Sequence, residues 1–121
     1  KNAKLFVELF RNHSDFLIQK NIDNSSWFGF SLIIKPSSSL KRKEVIDKLQ
    51  ENKIDCRPIV AGNFTKNEVM RFFDYEIHQD LANADYLDKY GFFVGNSQAC
   101  LKNEINLLFR TLNNISKKPC L

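Results

Sequence analysis

The sequence predicts an α+β domain: a small, mostly antiparallel sheet of about three strands with helices packed on it. Three observations carry this. Several segments place apolar residues at helical spacing. Three short runs rich in aromatic and β-branched residues lie between them. Three strands are too few for a two-faced parallel sheet, which leaves helices layered on one face. At 121 residues the chain suits one domain and is long enough for a single core.

Taken in order, "NAKLFVELFRNHSDFL" places Leu5, Leu9, Phe16 and Leu17 at helical spacing, with Phe6 and Phe10 beside them. A helix over 1–20 is therefore expected. The polar "NIDNSS" (21–26) breaks the pattern and reads as a loop. "WFGFSLIIK" (27–35) reads as the first strand, ended by Pro36 and three serines. Ser39 is placed to cap a helix over "LKRKEVIDKLQEN", whose Leu40, Val45, Ile46 and Leu49 share a face. "IDCRPIV" (54–60) is the second strand; Pro58 cannot donate to a ladder, so it is short or at an edge.

Beyond "AGN", Thr65 and Glu68 have capping-box spacing ahead of "KNEVMRFF". "HQDLANADYLDKYG" reads as a turn and a helix ending near Gly91, with Asn83 and Asp85 as helix-capping residues. "FFVGN" (92–96) is the third strand, with Phe92 and Phe93 on its two sides. "LKNEINLLFRTLNNI" is a final amphipathic helix with Ile105, Leu108, Phe109 and Leu112 inward, and 116–121 is a frayed basic tail. No internal repeat is visible.

Composition excludes more than it selects. With 43% hydrophobic and 26% charged residues, the chain reads as a folded, soluble domain. Its formal net charge of +4 is a mild excess that surface lysines alone supply. Cys56, Cys100 and Cys120 are odd in number and widely spaced, so neither a disulfide framework nor a zinc site is expected, and a cytoplasmic setting fits. No stretch approaches the ~20 apolar residues of a membrane span. The start, without Met and inside a helical pattern, reads as a fragment.

Chemistry is sparse. His13 and His78 lack a second ligand at metal-binding spacing, and no Gly-rich phosphate loop or nucleophile elbow occurs. "KYGFFVGN" superficially has the look of an RNA-binding aromatic strand, but a helical pattern precedes it where a hairpin is needed, so no nucleic-acid partner is expected. The densest stretch is "RPIVAGN". Pro58 biases Arg57 toward an extended conformation, which suits a guanidinium for binding phosphate or carboxylate. Gly62 permits close approach or a positive φ, and Asn63 supplies a donor and an acceptor. An ordinary strand exit with a surface arginine explains the same residues equally well.

"SWFGFSLIIKP", "LQENKIDCRPIVAGNFTKNE", "DLANADYLDKYGFFVGN" and the leading "KNAKLFVELF" together resemble the C-terminal small domain of the DegT/DnrJ/EryC1/StrS family of vitamin B6-dependent sugar enzymes. "SWFGF" and R-x-x-x-AGN are the more specific strings, and they point to the 3-dehydratase branch acting on CDP-linked 4-keto-6-deoxy sugars. The resemblance covers nearly the whole chain, least so beyond Ile115. It implies a pyridoxal or pyridoxamine phosphate cofactor held by a large domain that also carries the catalytic lysine, or the histidine that replaces it in the 3-dehydratases. None of those motifs occurs here. Residues 1–121 are then a single C-terminal domain, linked through the first helix to the large one and inactive alone.

The resemblance further implies deoxysugar or lipopolysaccharide O-antigen biosynthesis, a nucleotide-linked sugar substrate, a homodimer and a possible reductase partner. On the matching strings Arg57, Gly62 and Asn63 would face substrate, with Trp27 and Phe28 as walls, although core packing also explains the two aromatics. The alternatives are a sugar aminotransferase domain of the same family, or a stand-alone small-ligand-binding α+β module.

Overall fold

A four-stranded antiparallel sheet in the order β1-β2-β4-β3 organises the chain. The computed structural model describes residues 1–20, 22 and 25–117. The elements run α1 (Asn2–Phe10), β1 (Phe16–Ile18), β2 (Gly29–Ile34), α2 (Arg42–Glu51), β3 (Cys56–Arg57), α3 (Ala82–Tyr90), β4 (Gly91–Gly95) and α4 (Lys102–Ser116). Two short 3₁₀ turns, Phe64–Lys66 and Glu68–Phe72, lie between β3 and α3.

The α+β class and the antiparallel sheet are as expected, but the strand count is four. The helix expected over 1–20 ends at Phe10, and Phe16–Ile18 pairs with Ile34–Leu32 as an edge strand. Phe16 continued the helical spacing by coincidence. His13, Ser14 and Asp15 make the break: the Asp15 amide donates to His13 Nδ1 at 3.2 Å, and Ser14 donates to the Asp15 carboxylate at 2.6 Å. Such local side-chain bonds compete with helix. The loop 21–26 and the tail 116–121 fall partly outside the described residues; Ser116 itself still belongs to α4.

The capping expectations need correction too. No side chain caps α2; Ser38, rather than Ser39, accepts from the Leu40 amide just ahead of it. Asn63 and Asn67, not Thr65 with Glu68, cap the two 3₁₀ turns. Ala82 is capped by Asp80, while Asp85 lies in the first turn of α3 and bonds outward.

One face of the sheet is the core. Phe16, Phe30, Leu32, Ile34, Phe92 and Val94 alternate inward and meet Phe6 and Phe10 of α1, Val45 and Leu49 of α2, and Ile105, Leu108 and Leu112 of α4. The rings of Phe6, Phe10 and Phe30 stack at 4.6 and 4.7 Å. Burying such side chains contributes about 1.5–3 kcal/mol each. The opposite face carries Leu17, Ser31, Ile33, Phe93 and Arg57. Helix α3 reaches over part of it, with the Tyr86 hydroxyl donating to the Ile34 carbonyl at 2.6 Å.

Candidate functional site

The outer face of the sheet beside β3 is where the chain presents chemistry. Strand register lines up Arg57, Phe93 and Ser31 across β3, β4 and β2. The Ser31 amide donates to Gln19 Oε1 at 2.9 Å, which extends the row toward β1. Phe28 stands against Phe93 with ring centroids 6.0 Å apart and is 83% exposed. Gly29 makes room for this pair, since a Cβ there would lie 2.8 Å from the Phe93 ring. A shallow recess of about 150 Å³ results, lined by Gln19, Phe28, Ser31, Ile59, Val60 and Phe93, with Gly29 at its floor.

Pro58 and the two-residue length of β3 place Arg57 on the sheet edge. Its guanidinium is exposed, with Asp55 at 4.0 Å as a loose partner. It is therefore available to an anionic group at little desolvation cost.

The next residues make a tight turn. The Gly62 amide donates to the Ile59 carbonyl at 2.8 Å, with Gly62 at φ +56°. A Cβ on Gly62 would lie 2.0 Å from Asp88 Oδ1, so close approach and positive φ both operate there. Val60 also has positive φ, +37°, which is an outlier for a β-branched residue. Asn63 is buried, its Oδ1 accepting from Thr65 N and Oγ1 and its Nδ2 donating to Asp85 at 2.6 Å. Lys66 completes this clamp with an ion pair to Asp85 at 2.6 Å, which holds the carboxyl below its ordinary range and raises the lysine.

The five residues singled out from sequence thus separate. Arg57 and Phe28 are exposed on the outer face. Gly62 and Asn63 shape and clamp the turn between them. Trp27 turns into the core, 8% exposed, against Phe6 and Phe30. Sequence reasoning passed over Ser31, Gln19, Ile59 and Val60, and it treated Phe93 as structural. Strand alternation along "GFFVG" was the available signal: Phe92 inward puts Phe93 outward.

No family model matches the chain. It is, however, 52% identical over 113 residues to the GDP-4-keto-6-deoxy-D-mannose 3-dehydratase of Yersinia pseudotuberculosis, an alignment covering 93% of this chain and 29% of that protein. The chain is a homologue of the DegT/DnrJ/EryC1/StrS-family sugar 3-dehydratases. Solved structures agree at the level of the fold. The Escherichia coli GDP-4-keto-6-deoxy-D-mannose-3-dehydratase with bound hydrated PLP superposes with a TM-score of 0.90 at 47% identity, over 92% of this chain and 29% of that one. A variant of the same enzyme with bound GDP-perosamine matches with the same score, identity and coverage. The chain spans about 29% of the length of these family members.

Family members of this kind use pyridoxal phosphate, so the residues present can be tested against that group. It needs a phosphate cradle, an acid for its ring nitrogen and a base or amine at its reactive carbon. The recess supplies none of these sets: its lining is uncharged, with Gln19 and Ser31 among apolar residues and Arg57 as the nearby cation. The described buried polar atoms without a partner, His13 Nε2, Arg42 Nε and Ser116 Oγ, do not line it. The described residues alone do not fit the cofactor. Nor, among the described residues, do three or more His, Cys, Asp or Glu gather to hold a metal.

Proposed function

We propose that the chain is the substrate-side small domain of a vitamin B6-dependent nucleotide-sugar 3-dehydratase in deoxysugar biosynthesis. Homology at 52% identity to an enzyme of that name carries this reading. The longer protein's large domain would hold the cofactor, which would supply an electron sink for loss of the C3 hydroxyl. The chain's own contribution is binding and orientation. Arg57 contacts a phosphate of the nucleotide, and Phe28 with Phe93 walls the site. Gly62 and Asn63 fix the turn that sets Arg57 relative to the recess, and Trp27 supports Phe28 from the core.

The proposed substrate is a GDP-linked 4-keto-6-deoxyhexose, in place of the CDP-linked sugar that the family resemblance first implied. The 52% identical relative is named for a GDP sugar, and a similar structure holds GDP-perosamine. A homodimeric enzyme in the cytoplasm, with a reductase acting on the product, completes the reading. The free thiols of Cys56 and Cys100 are consistent with a reducing compartment.

A graft tests it. This chain, replacing the matching residues of the Yersinia enzyme, is expected to retain removal of the C3 hydroxyl from the GDP sugar, followed by mass spectrometry. A folded graft that binds its cofactor but turns over no GDP sugar would reject the reading.

A further inference from the structure

The recess beside Arg57 holds a polar side chain whose orientation is fixed. Gln19 follows β1 directly and lines the recess, and its Oε1 accepts from the Ser31 amide at 2.9 Å. A backbone N–H can only donate, so the oxygen of this carboxamide must face it and Nε2 must face away. Among the described residues Nε2 is left without an acceptor. Its two N–H groups therefore remain as donors for an outside group. The Ser31 hydroxyl, which can donate or accept, stands in the same lining.

The sheet beneath adds an independent indication. Gly29 and Gly95 pair across β2 and β4, so the face beside Phe93 carries two positions without side chains. A Cβ on Gly29 would collide with the Phe93 ring, and one on Gly95 would meet no described atom within 4 Å. Glycine inside a strand weakens it and marks places where a ligand or another backbone comes close. Phe28 stands over this bare patch as an exposed ring beside Phe93. A flat apolar surface with an exposed aromatic face and one oriented donor suits a planar heterocycle.

We infer that the recess takes the guanine base of the nucleotide and that Gln19 is the residue that selects it. This rests on the reading of the chain as the substrate-side domain of a GDP-sugar enzyme. Arg57 and Ser31 lie in register on either side of Phe93, two strand spacings or roughly 10 Å apart. With a phosphate at Arg57, the base extends across Phe93 toward Gln19. The sugar lies on the other side of the diphosphate, toward a cofactor whose binding groups this recess lacks. Stacking on Phe28 accepts any base. Guanine, however, shows two acceptors, O6 and N7, on one edge, whereas the matching edge of cytosine shows its N4 amino donor. A fixed amide donor pairs with the first and opposes the second.

Equilibrium displacement of a fluorescent GDP analogue from the Yersinia graft tests this, with GDP, IDP and CDP as competitors. IDP keeps O6 and N7 and lacks only the 2-amino group. It should bind within about twofold of GDP, and CDP at least about fivefold more weakly. Gln19→Met, similar in length but without the donor, is expected to weaken GDP and IDP roughly fivefold to tenfold, the worth of one hydrogen bond, and to leave CDP unchanged. Gln19→Glu keeps an acceptor for the Ser31 amide while removing the donor, and should likewise erase the preference for GDP over CDP. Phe28→Ala should weaken all three nucleotides alike. Cofactor absorbance equal to that of the parent shows that each variant is folded. A GDP-to-CDP ratio unchanged in both Gln19 variants would overturn the inference. A Gln19-dependent base preference in a graft without dehydratase activity would sink the proposed function and leave the base site intact; an active graft with no such preference would do the reverse.

Discussion

His13 ends the first helix, and the same placement gives the chain a titratable core residue. It is 5% exposed, stacked at 5.7 Å on Phe10 and edge-on to Phe16 and Phe109. Burial lowers its pKa below the ordinary 6.5; Asp15 opposes that shift and Lys35 adds to it. The unfolded chain therefore takes up this proton at a higher pH than the folded one. Stability from neutral His13 is complete above pH 6.5 and declines as pH falls below it, with a slope of at most about 1.4 kcal/mol per pH unit. Urea midpoints measured between pH 7.5 and 5 should show this decline, and His13→Gln should flatten it. Asp15 acts in a separate, more acidic window. Burial raises its pKa, but hydrogen bonds from Ser14 and Ser38 outweigh burial and hold it below 3.8, so its contribution is lost only as pH falls through that region. A midpoint that is flat across pH 5–7.5 in the parent chain would show that His13 does not bury as described.

At the scale of elements, sheet and helices were legible where one period ran uninterrupted. β2, α2, α3, β4 and α4 fall where their patterns place them. The misses have local causes. β1 is three residues long and hidden in an accidental helical spacing, and only the bonding among His13, Ser14 and Asp15 separates it from α1. The stretch 64–77 has helical composition but stops at two 3₁₀ turns, because no helical face of it is buried among the described residues. Covering of the outer face is likewise a tertiary event that sequence does not announce. Its best local marker is the Tyr86 hydroxyl bonded to the Ile34 carbonyl. Tyr86→Phe is expected to cost about 1 kcal/mol of stability in chemical denaturation, with α3 amides losing protection before those of α4. Unchanged stability and exchange would mean that α3 is held by its other contacts alone.

For the whole molecule, the stretch that sequence singles out forms a turn whose residues take separate structural roles. "RPIVAGN" is dense in backbone punctuation, and the turn, the exposed edge arginine and the positive φ at Gly62 all occur there. The direction each side chain takes was harder to read. Trp27 and Phe28 are neighbours in a run of aromatics, and only the onset of pairing at Gly29 decides which turns inward. Asn63 offers the same donor and acceptor to a ligand or to its own backbone; here it caps a turn and binds Asp85. Arg57 therefore carries the substrate-facing claim with the fewest competing duties. Steady-state kinetics of Arg57→Ala in the graft with the Yersinia enzyme tests it most directly. A charge-assisted contact of about 1.5–3 kcal/mol predicts a KM for the GDP sugar raised roughly tenfold or more, with kcat and cofactor absorbance little changed. A KM and kcat both equal to those of the parent would contradict the assignment of this rim to substrate.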